Sequence, residues 1–332
     1  MINIQDVAKK AGVSVATVSR VLNETTVVSE NTKAKVLAAI EELDYHPNLV
    51  GRNLRRKETK IALVIMNSVV NSFFTKIIKG MEDAAAQKGY HIMICTTGNV
   101  SSKISRYLDL LTSRLADGAI LLGIGLDDAL KEKIASVNKR YPLVQCCEYD
   151  PELGLSHVSI DDFAAAYEAT SYLIEKGRRK ILHFSVCNQF ISSRQRRSGY
   201  LKALADHQIP NDENLVLYGN YGYRNAMRLT SDFLQKSIPF DAILADSDRM
   251  AAGAMRVLAD QMISVPDDVS VIGFDNTEIC YMVQPGITSI SQSQYELGTC
   301  SFQLLYDQIS GGSGGINRFF EHKLILREST NI

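Results

Sequence analysis

Several chemistries are missing from this 332-residue chain, and each absence narrows what it can do. Its six cysteines, at positions 95, 146, 147, 187, 280 and 300, include no CxxC spacing, and Cys146 and Cys147 are adjacent and poorly placed to pair. That usage suits reduced, buried thiols in a cytosolic protein better than a disulfide framework. Long hydrophobic runs are lacking too. Runs such as Ala119 to Leu122 fall far short of the ~20 residues that cross a bilayer, and the opening MINIQDVAKK mixes apolar with polar and charged residues and shows no signal-peptide pattern. A cytoplasmic protein with no membrane partner is therefore expected. The histidines stand apart, with no HExxH and no carboxylate at ligand spacing, so neither a metal nor a cofactor is expected. Gly123-Ile124-Gly125 lacks the third glycine of the dinucleotide fingerprint. Gly311-Gly312-Ser313-Gly314-Gly315 matches GxSxG, but helix-like FQLLYDQI precedes it and strand-like FFEHKLIL follows, the reverse of a nucleophile elbow. With no nucleophile–base pair in sight, an enzyme is not expected. No heptad pattern surrounds Arg327 to Thr330, so no coiled-coil tetramerisation element is expected.

What is present is apolar mass and an uneven charge. The chain is 45% hydrophobic and 22% charged, enough for a large core and for two or three units. The overall net charge of −1 argues against a nucleic-acid binder until its distribution is considered. Residues 1–57 hold nine basic side chains against six acidic ones, a net +3, which leaves −4 on the remainder. The excess concentrates at Arg52 to Lys57, where it can neutralise phosphates.

The first residues carry the strongest pattern. In Asn3 to Asn23, NIQDVAKKAGVSVATVSRVLN, the residues Ile4, Val7, Ala8 and Ala11 share one helical face. Asn3 is placed to cap that helix and Gly12 to end it. Ser14 then caps a second short helix, in which Val18, Val21 and Leu22 face back and Val15, Ala16, Ser19 and Arg20 face out. Two helices joined this way form either an ordinary helical hairpin or a helix-turn-helix, whose second helix enters the major groove. The residues decide between them, because DVAKKAGVSVATVSRVLN closely resembles the N-terminal signature of the LacI/GalR repressor family. On this basis Val15 and Ala16 suit thymine methyls, Arg20 suits guanine O6/N7, and Thr17 and Ser19 suit phosphates. Ser14 and Asn23 complete the candidate DNA-binding set. A third helix capped by Ser29, with Val36, Ala39, Ile40 and Leu43 on one stripe, closes an all-α headpiece over residues 1–46.

Residues 47–58 follow as a linker. NLVGRNLRR reads blandly as a solvated connection. The resemblance implies instead a hinge helix that folds on DNA and wedges a leucine, here Leu54, into the minor groove. From residue 59 to 332 apolar strands alternate with amphipathic helices, which predicts parallel sheets covered on both faces. Two such series predict an α/β core of two Rossmann-like lobes, similar to periplasmic binding proteins. Lobe 1 is expected over about 59–159 and 289–326, and lobe 2 over about 160–288. The resemblance implies that helix 295–309 and the final strand HKLILRE both return to lobe 1.

Ligands of such lobes bind outside the carboxyl ends of the strands. A polyol needs planar hydrogen-bonding groups and an aromatic face. The resemblance implies a contact from the arginine three residues before the helix glycine, here Arg196 before Gly199. It implies further contacts from Asp275 in VIGFDN and from Ser247, with Asp248 capping its own helix. Phe73 and Tyr221 are expected as aromatic walls and Gln292 as a further candidate. Asp161-Asp162 is most simply a response to the helix dipole. The family often has an aspartate where this chain reads Cys146-Cys147-Glu148, so that contact is absent or supplied by Glu148. The function expected is that of a transcriptional repressor of carbohydrate-utilisation genes. Its expected partners are palindromic operator DNA, a second copy in a homodimer, and a small-molecule effector, a sugar, or a non-sugar co-repressor. A rival, the periplasmic sugar-binding type, would have lobes but no headpiece.

Gly51 stands where the family resemblance leads one to expect alanine, at roughly 0.5–1 kcal/mol of helix propensity. Gly51→Ala is therefore expected to tighten operator binding in a titration, and an unchanged or weaker affinity would refute the hinge-helix expectation.

Overall fold

The computed structural model describes residues 2–23, 28–45, 58–98, 100–186 and 190–331. It divides into two compact units, Met1–Thr59 and Lys60–Ile332. The expected hinge, including Leu54, lies almost wholly outside the described residues.

The first unit packs α1 (Ile4–Ala11), α2 (Val15–Asn23) and α3 (Glu30–Glu42) together. Asn3 starts α1 with a reciprocal cap, in which its side chain accepts from the Gln5 and Asp6 amides while Asp6 accepts from the Asn3 amide. Gly12 ends the helix at φ 67°, a left-handed angle that costs glycine little. Val7, Ala8, Val18, Val21, Val36, Ala39 and Tyr45 form the core. Tyr45 is an addition to the expected apolar stripe.

The second unit holds two six-stranded sheets. The first contains β1 (Ile61–Met66), β2 (His91–Thr96), β3 (Gly118–Leu122), β4 (Leu143–Cys146), β5 (Ser156–Ile160) and β11 (Asn317–Phe320), in the order β11-β5-β4-β3-β1-β2. All of its pairings are parallel. The second contains β6 (Ile181–Val186), β7 (Val216–Gly219), β8 (Ala242–Ala245), β9 (Ser270–Asp275), β10 (Thr288–Gln292) and β12 (His322–Ile325), in the order β12-β10-β9-β8-β6-β7. Here β12 is an antiparallel edge. In β1, Ala62, Val64 and Met66 enter one core while Leu63 and Ile65 enter another, as expected for a strand covered on both faces. Helices α4 (Phe73–Gln87) and α12 (Gln294–Ile309) cover one face of the first sheet, with α5 (Ser101–Thr112) and α6 (Asp128–Asn138) on the other. Helices α7 (Asp162–Glu175) and α8 (Ile191–Asp206) pack on one face of the second sheet. Its other face carries α9 (Tyr223–Leu234), α10 (Asp248–Asp260) and the short α11 (Ile279–Met282).

Two expectations about the C-terminal crossing need correction. Helix α12 does join the first sheet, but the final strand does not: His322–Ile325 pairs with β10 in the second. The strand that reaches the first sheet is β11, which pairs with β5. The strand at 288–292 likewise stays with the second sheet, because the Ser289 hydroxyl donates to Asp248 Oδ1 at 2.6 Å and the Thr288 amide donates to Ser329. The chain therefore crosses only after Gln292. Strand β5 escapes a search for apolar runs because it mixes Ser156, His157 and Ser159 into five residues, β7 because it is only four residues long, and the strand-like FFEHKLIL divides between the end of β11 and β12.

Helices α4 and α12 meet backbone to backbone. A Cβ on Gly298 would lie 2.0 Å from the Ile77 carbonyl oxygen, and one on Gly80 2.1 Å from that of Tyr295. Gly298→Ala must push the helices apart, at a cost of roughly 1–3 kcal/mol or more. A lower urea midpoint is expected, and an unchanged one would show that this contact is not tight.

Candidate ligand cleft and nucleic-acid interface

The carboxyl ends of strands from both sheets converge on a cavity of about 370 Å³. That volume lies within the usual range for small-molecule sites. From the first sheet, Asn67 follows β1, with its amide anchored by the Thr97 hydroxyl at 3.0 Å and reaching the Gly123 carbonyl at 3.4 Å. Phe73 and Phe74 open α4 as an edge-to-face pair, with ring centroids 5.1 Å apart. The second sheet brings Tyr221 after β7, edge-on to Phe190 at 5.9 Å, so both sides of the cleft present aromatic surface.

Arg196 is the central cation. It lies in the second turn of α8, only 6% exposed. Its Nε donates to Asp162 Oδ1 at 2.8 Å and its Nη1 to the Asp246 carbonyl at 2.6 Å, while the guanidinium sits 3.6 Å above the Phe274 ring. Burial works against its charge, but the carboxylates around it, Asp162 first, raise its proton affinity further. Asp246 is itself fixed by His183 Nε2 at 3.1 Å and by the Ser193 hydroxyl at 2.6 Å.

Two carboxyls face the cavity without an arginine bonded to them. Asp275 ends β9 at φ 104°, a strained angle for a residue with a side chain. Gln292 donates to its Oδ1 at 2.8 Å and Gln294 to its carbonyl at 2.7 Å. Burial pushes the Asp275 carboxyl well above the usual range. Glu148 follows β4 and accepts from both the amide and the hydroxyl of Ser192 at the start of α8. Burial pushes its pKa up to about 7, against the opposing effect of the Ser192 hydrogen bonds.

Five of the six expected cleft residues, Phe73, Arg196, Tyr221, Asp275 and Gln292, line this one cavity. Ser247 does not. It is buried, and its hydroxyl caps α10 by accepting from the Met250 amide, whereas the next residue, Arg249, does line the cavity. Asp248 accordingly is not the cap expected of it. Its carboxylate accepts from the Thr277 amide and hydroxyl and from Ser289. At the other acidic pair, Asp161 caps α7 through the Ala164 amide, but Asp162 does more than answer a dipole, since it pairs with Arg196 and lines the cavity. Asn67, Asn220 and Ser192 also line it and are not among the expected residues. Their signal was position at a strand end or first helical turn, which residue type alone does not reveal.

In the headpiece, Val15, Ala16 and Arg20 are exposed on α2, and Thr17 and Ser19 are half-buried. The Ser14 hydroxyl accepts from the Thr17 amide at 3.2 Å and lies 2.9 Å from the Thr17 hydroxyl, fixing the start of the helix. Asn23 is the last residue of α2, and its side chain lies outside the described residues.

Comparison with known proteins follows the same division. Residues 3–48 match the family model for bacterial regulatory proteins of the lacI family. Residues 58–326 match that for periplasmic binding proteins and the sugar-binding domain of the LacI family. The chain is 35% identical to the HTH-type transcriptional repressor CytR of Escherichia coli strain K12 over 98% of its own length and 96% of the relative's. Among solved structures, it superposes on a Lac repressor dimer bound to operator and the anti-inducer ONPF, with a TM-score of 0.89 at 26% identity, covering 99% of both chains. It is also similar to the transcriptional regulator CelR in complex with cellobiose, with a TM-score of 0.77 at 29% identity, covering 99% of this chain and 100% of the other.

The raised pKa of Glu148 has a sign that can be measured. The folded chain holds this proton up to pH about 7, while an ordinary exposed glutamate releases it near 4.5. Between those values the folded state binds more protons, so the stability contribution is complete at low pH and is lost as pH rises through 7. Glu148→Gln cannot ionise. Relative to wild type it is expected to gain stability between pH 4 and 8, by up to roughly 3 kcal/mol. A difference in urea midpoints that stays constant across that range would show that Glu148 ionises freely.

Proposed function

The chain belongs to the LacI family of bacterial transcriptional regulators, and on that premise we propose that it is a repressor of carbohydrate-utilisation genes whose operator affinity is set by a sugar. It binds a palindromic operator as a homodimer, because one headpiece reads too few base pairs for genomic discrimination and two half-sites multiply it. Val15 and Ala16 meet thymine methyls, Arg20 meets a guanine edge, and Ser14, Thr17, Ser19 and Asn23 serve the backbone. Leu54 enters the minor groove.

The observation that carries the effector reading is the composition of the cavity. Amides of Asn67, Asn220 and Gln292 and the carboxyls of Glu148 and Asp275 offer both donors and acceptors for vicinal hydroxyls. Phe73 and Tyr221 offer faces for the apolar side of a sugar ring. The cellobiose bound by the relative CelR supports this class of ligand. Because both sheets contribute, a bound sugar interacts differently with different lobe arrangements, which is the thermodynamic requirement for control of a distant affinity.

One titration series tests the proposal. Operator binding is measured with and without a panel of mono- and disaccharides for wild type, Arg20→Ala and Asp275→Asn. Arg20→Ala is expected to cost about 1–3 kcal/mol on the cognate operator and less on random DNA. Asp275→Asn keeps the shape of the side chain and is expected to retain operator binding but lose the sugar response. Equal losses on both DNAs would make Arg20 a phosphate contact only. A retained response in Asp275→Asn would place the ligand elsewhere, and no specific binding by wild type would defeat the function.

A further inference from the structure

The cleft wall contains a pair of thiols that sugar recognition does not use. Along a β-strand, neighbouring side chains point to opposite faces. Cys146 ends β4 and is fully buried, so Cys147 would ordinarily point away from it. Instead Cys147 adopts φ 68° and the Glu148 amide donates back to the Cys146 carbonyl at 2.9 Å. This is a γ-turn of the rare, strained hand. A further hydrogen bond, from the Cys147 amide to the Val158 carbonyl at 2.9 Å, holds it in place. The turn brings both sulfurs to the same side of the sheet, 3.8 Å apart, with Cys147 lining the cavity. Strain at a residue with a side chain persists where the surrounding structure enforces it, and such places cluster at functional sites.

We propose that Cys146 and Cys147 form a dithiol site for trivalent arsenicals in the wall of the cleft. At 3.8 Å the sulfurs are beyond a disulfide bond of about 2.05 Å, so both thiols are free, and they are close enough for one atom to bridge them. The contact with Cys146, together with burial, keeps the Cys147 thiol protonated. A protonated thiol at Cys147 suits a neutral electrophile better than a metal dication. Zinc would need about four ligands, and among the described residues no group of three or more His, Cys, Asp or Glu side chains could hold a metal ion. Condensation with a dihydroxyarsine breaks two S–H and two As–O bonds, forms two As–S bonds and releases two waters. Arsenic stays trivalent throughout, so no oxidant or reductant is required. Its third substituent then projects into the cavity beside Glu148 and Arg196.

The test is the intact mass of the full-length, reduced protein after exposure to phenylarsine oxide, read without DNA or sugar and therefore independent of the proposed function. Wild type is expected to form one adduct that resists a monothiol and is reversed by 1,2-ethanedithiol. Cys147→Gly retains the left-handed turn at no steric cost and, like Cys146→Ser, is expected to lose the adduct, with circular dichroism confirming the fold of each. Cys300→Ser is expected to keep it. Absence of an adduct on wild type would overturn the proposal. So would an adduct that survives in Cys147→Gly, or one lost in Cys300→Ser.

Discussion

The cleft depends on one buried guanidinium. Arg196 carries a permanent charge and five donors into a site that is almost closed to water, where an unpartnered charge would be prohibitive. Asp162 and the Asp246 carbonyl take up part of that demand, and the Phe274 ring covers one face. Asp246 can play this part because His183 and Ser193 hold its carboxylate. Breaking such a buried pair from one side typically costs 3–5 kcal/mol. The same interaction therefore fixes the start of α7, the start of α8 and the end of β8. Arg196 also lines the cavity, so one group both secures these elements and forms part of the cleft wall.

Around this node, close backbone packing permits local strain at the rim. The α4–α12 contact and the strands covered on both faces pack the elements of each sheet closely. Two non-glycine residues with positive φ, Cys147 and Asp275, then sit at strand ends facing the cavity. Each conformation costs on the order of 1–3 kcal/mol in isolation. A softer scaffold would relax them and turn their side chains elsewhere. Gln292 and Gln294 on Asp275, and the Val158 carbonyl on Cys147, are the bonds that prevent this.

How much of this was legible in the sequence varies by kind of feature. Helix periodicity and apolar strands announced the headpiece and both sheets, because burial on one or both faces leaves a pattern in the side chains. The crossing after Gln292 did not show, since it depends on Ser289 and Thr288 bonding to Asp248 and Ser329, partners 41 residues away in each case. Arg196 and Asp275 were legible through a motif resemblance. Ser247 was misplaced by the same route, for a serine before a helical aspartate is equally a cap, and here the cap prevailed. Asp162 was hidden because its partner lies on another helix, so its charge resembled an ordinary first-turn acid.

Two carboxyls with raised pKa values give the cleft a further property. Glu148 and Asp275 both sit where burial disfavours their charge, and neither bonds to an arginine. A neutral ligand that donates hydroxyl hydrogens satisfies them without adding charge. Arg196 gives two of its donors to Asp162 and the Asp246 carbonyl, and Arg249 is a further cation lining the cavity. Glu148 follows a strand of the first sheet yet is held by Ser192 of the second lobe. A ligand that competed for Glu148 would act on a bond between the lobes, and only the resulting difference in binding energy between lobe arrangements could bias one over the other.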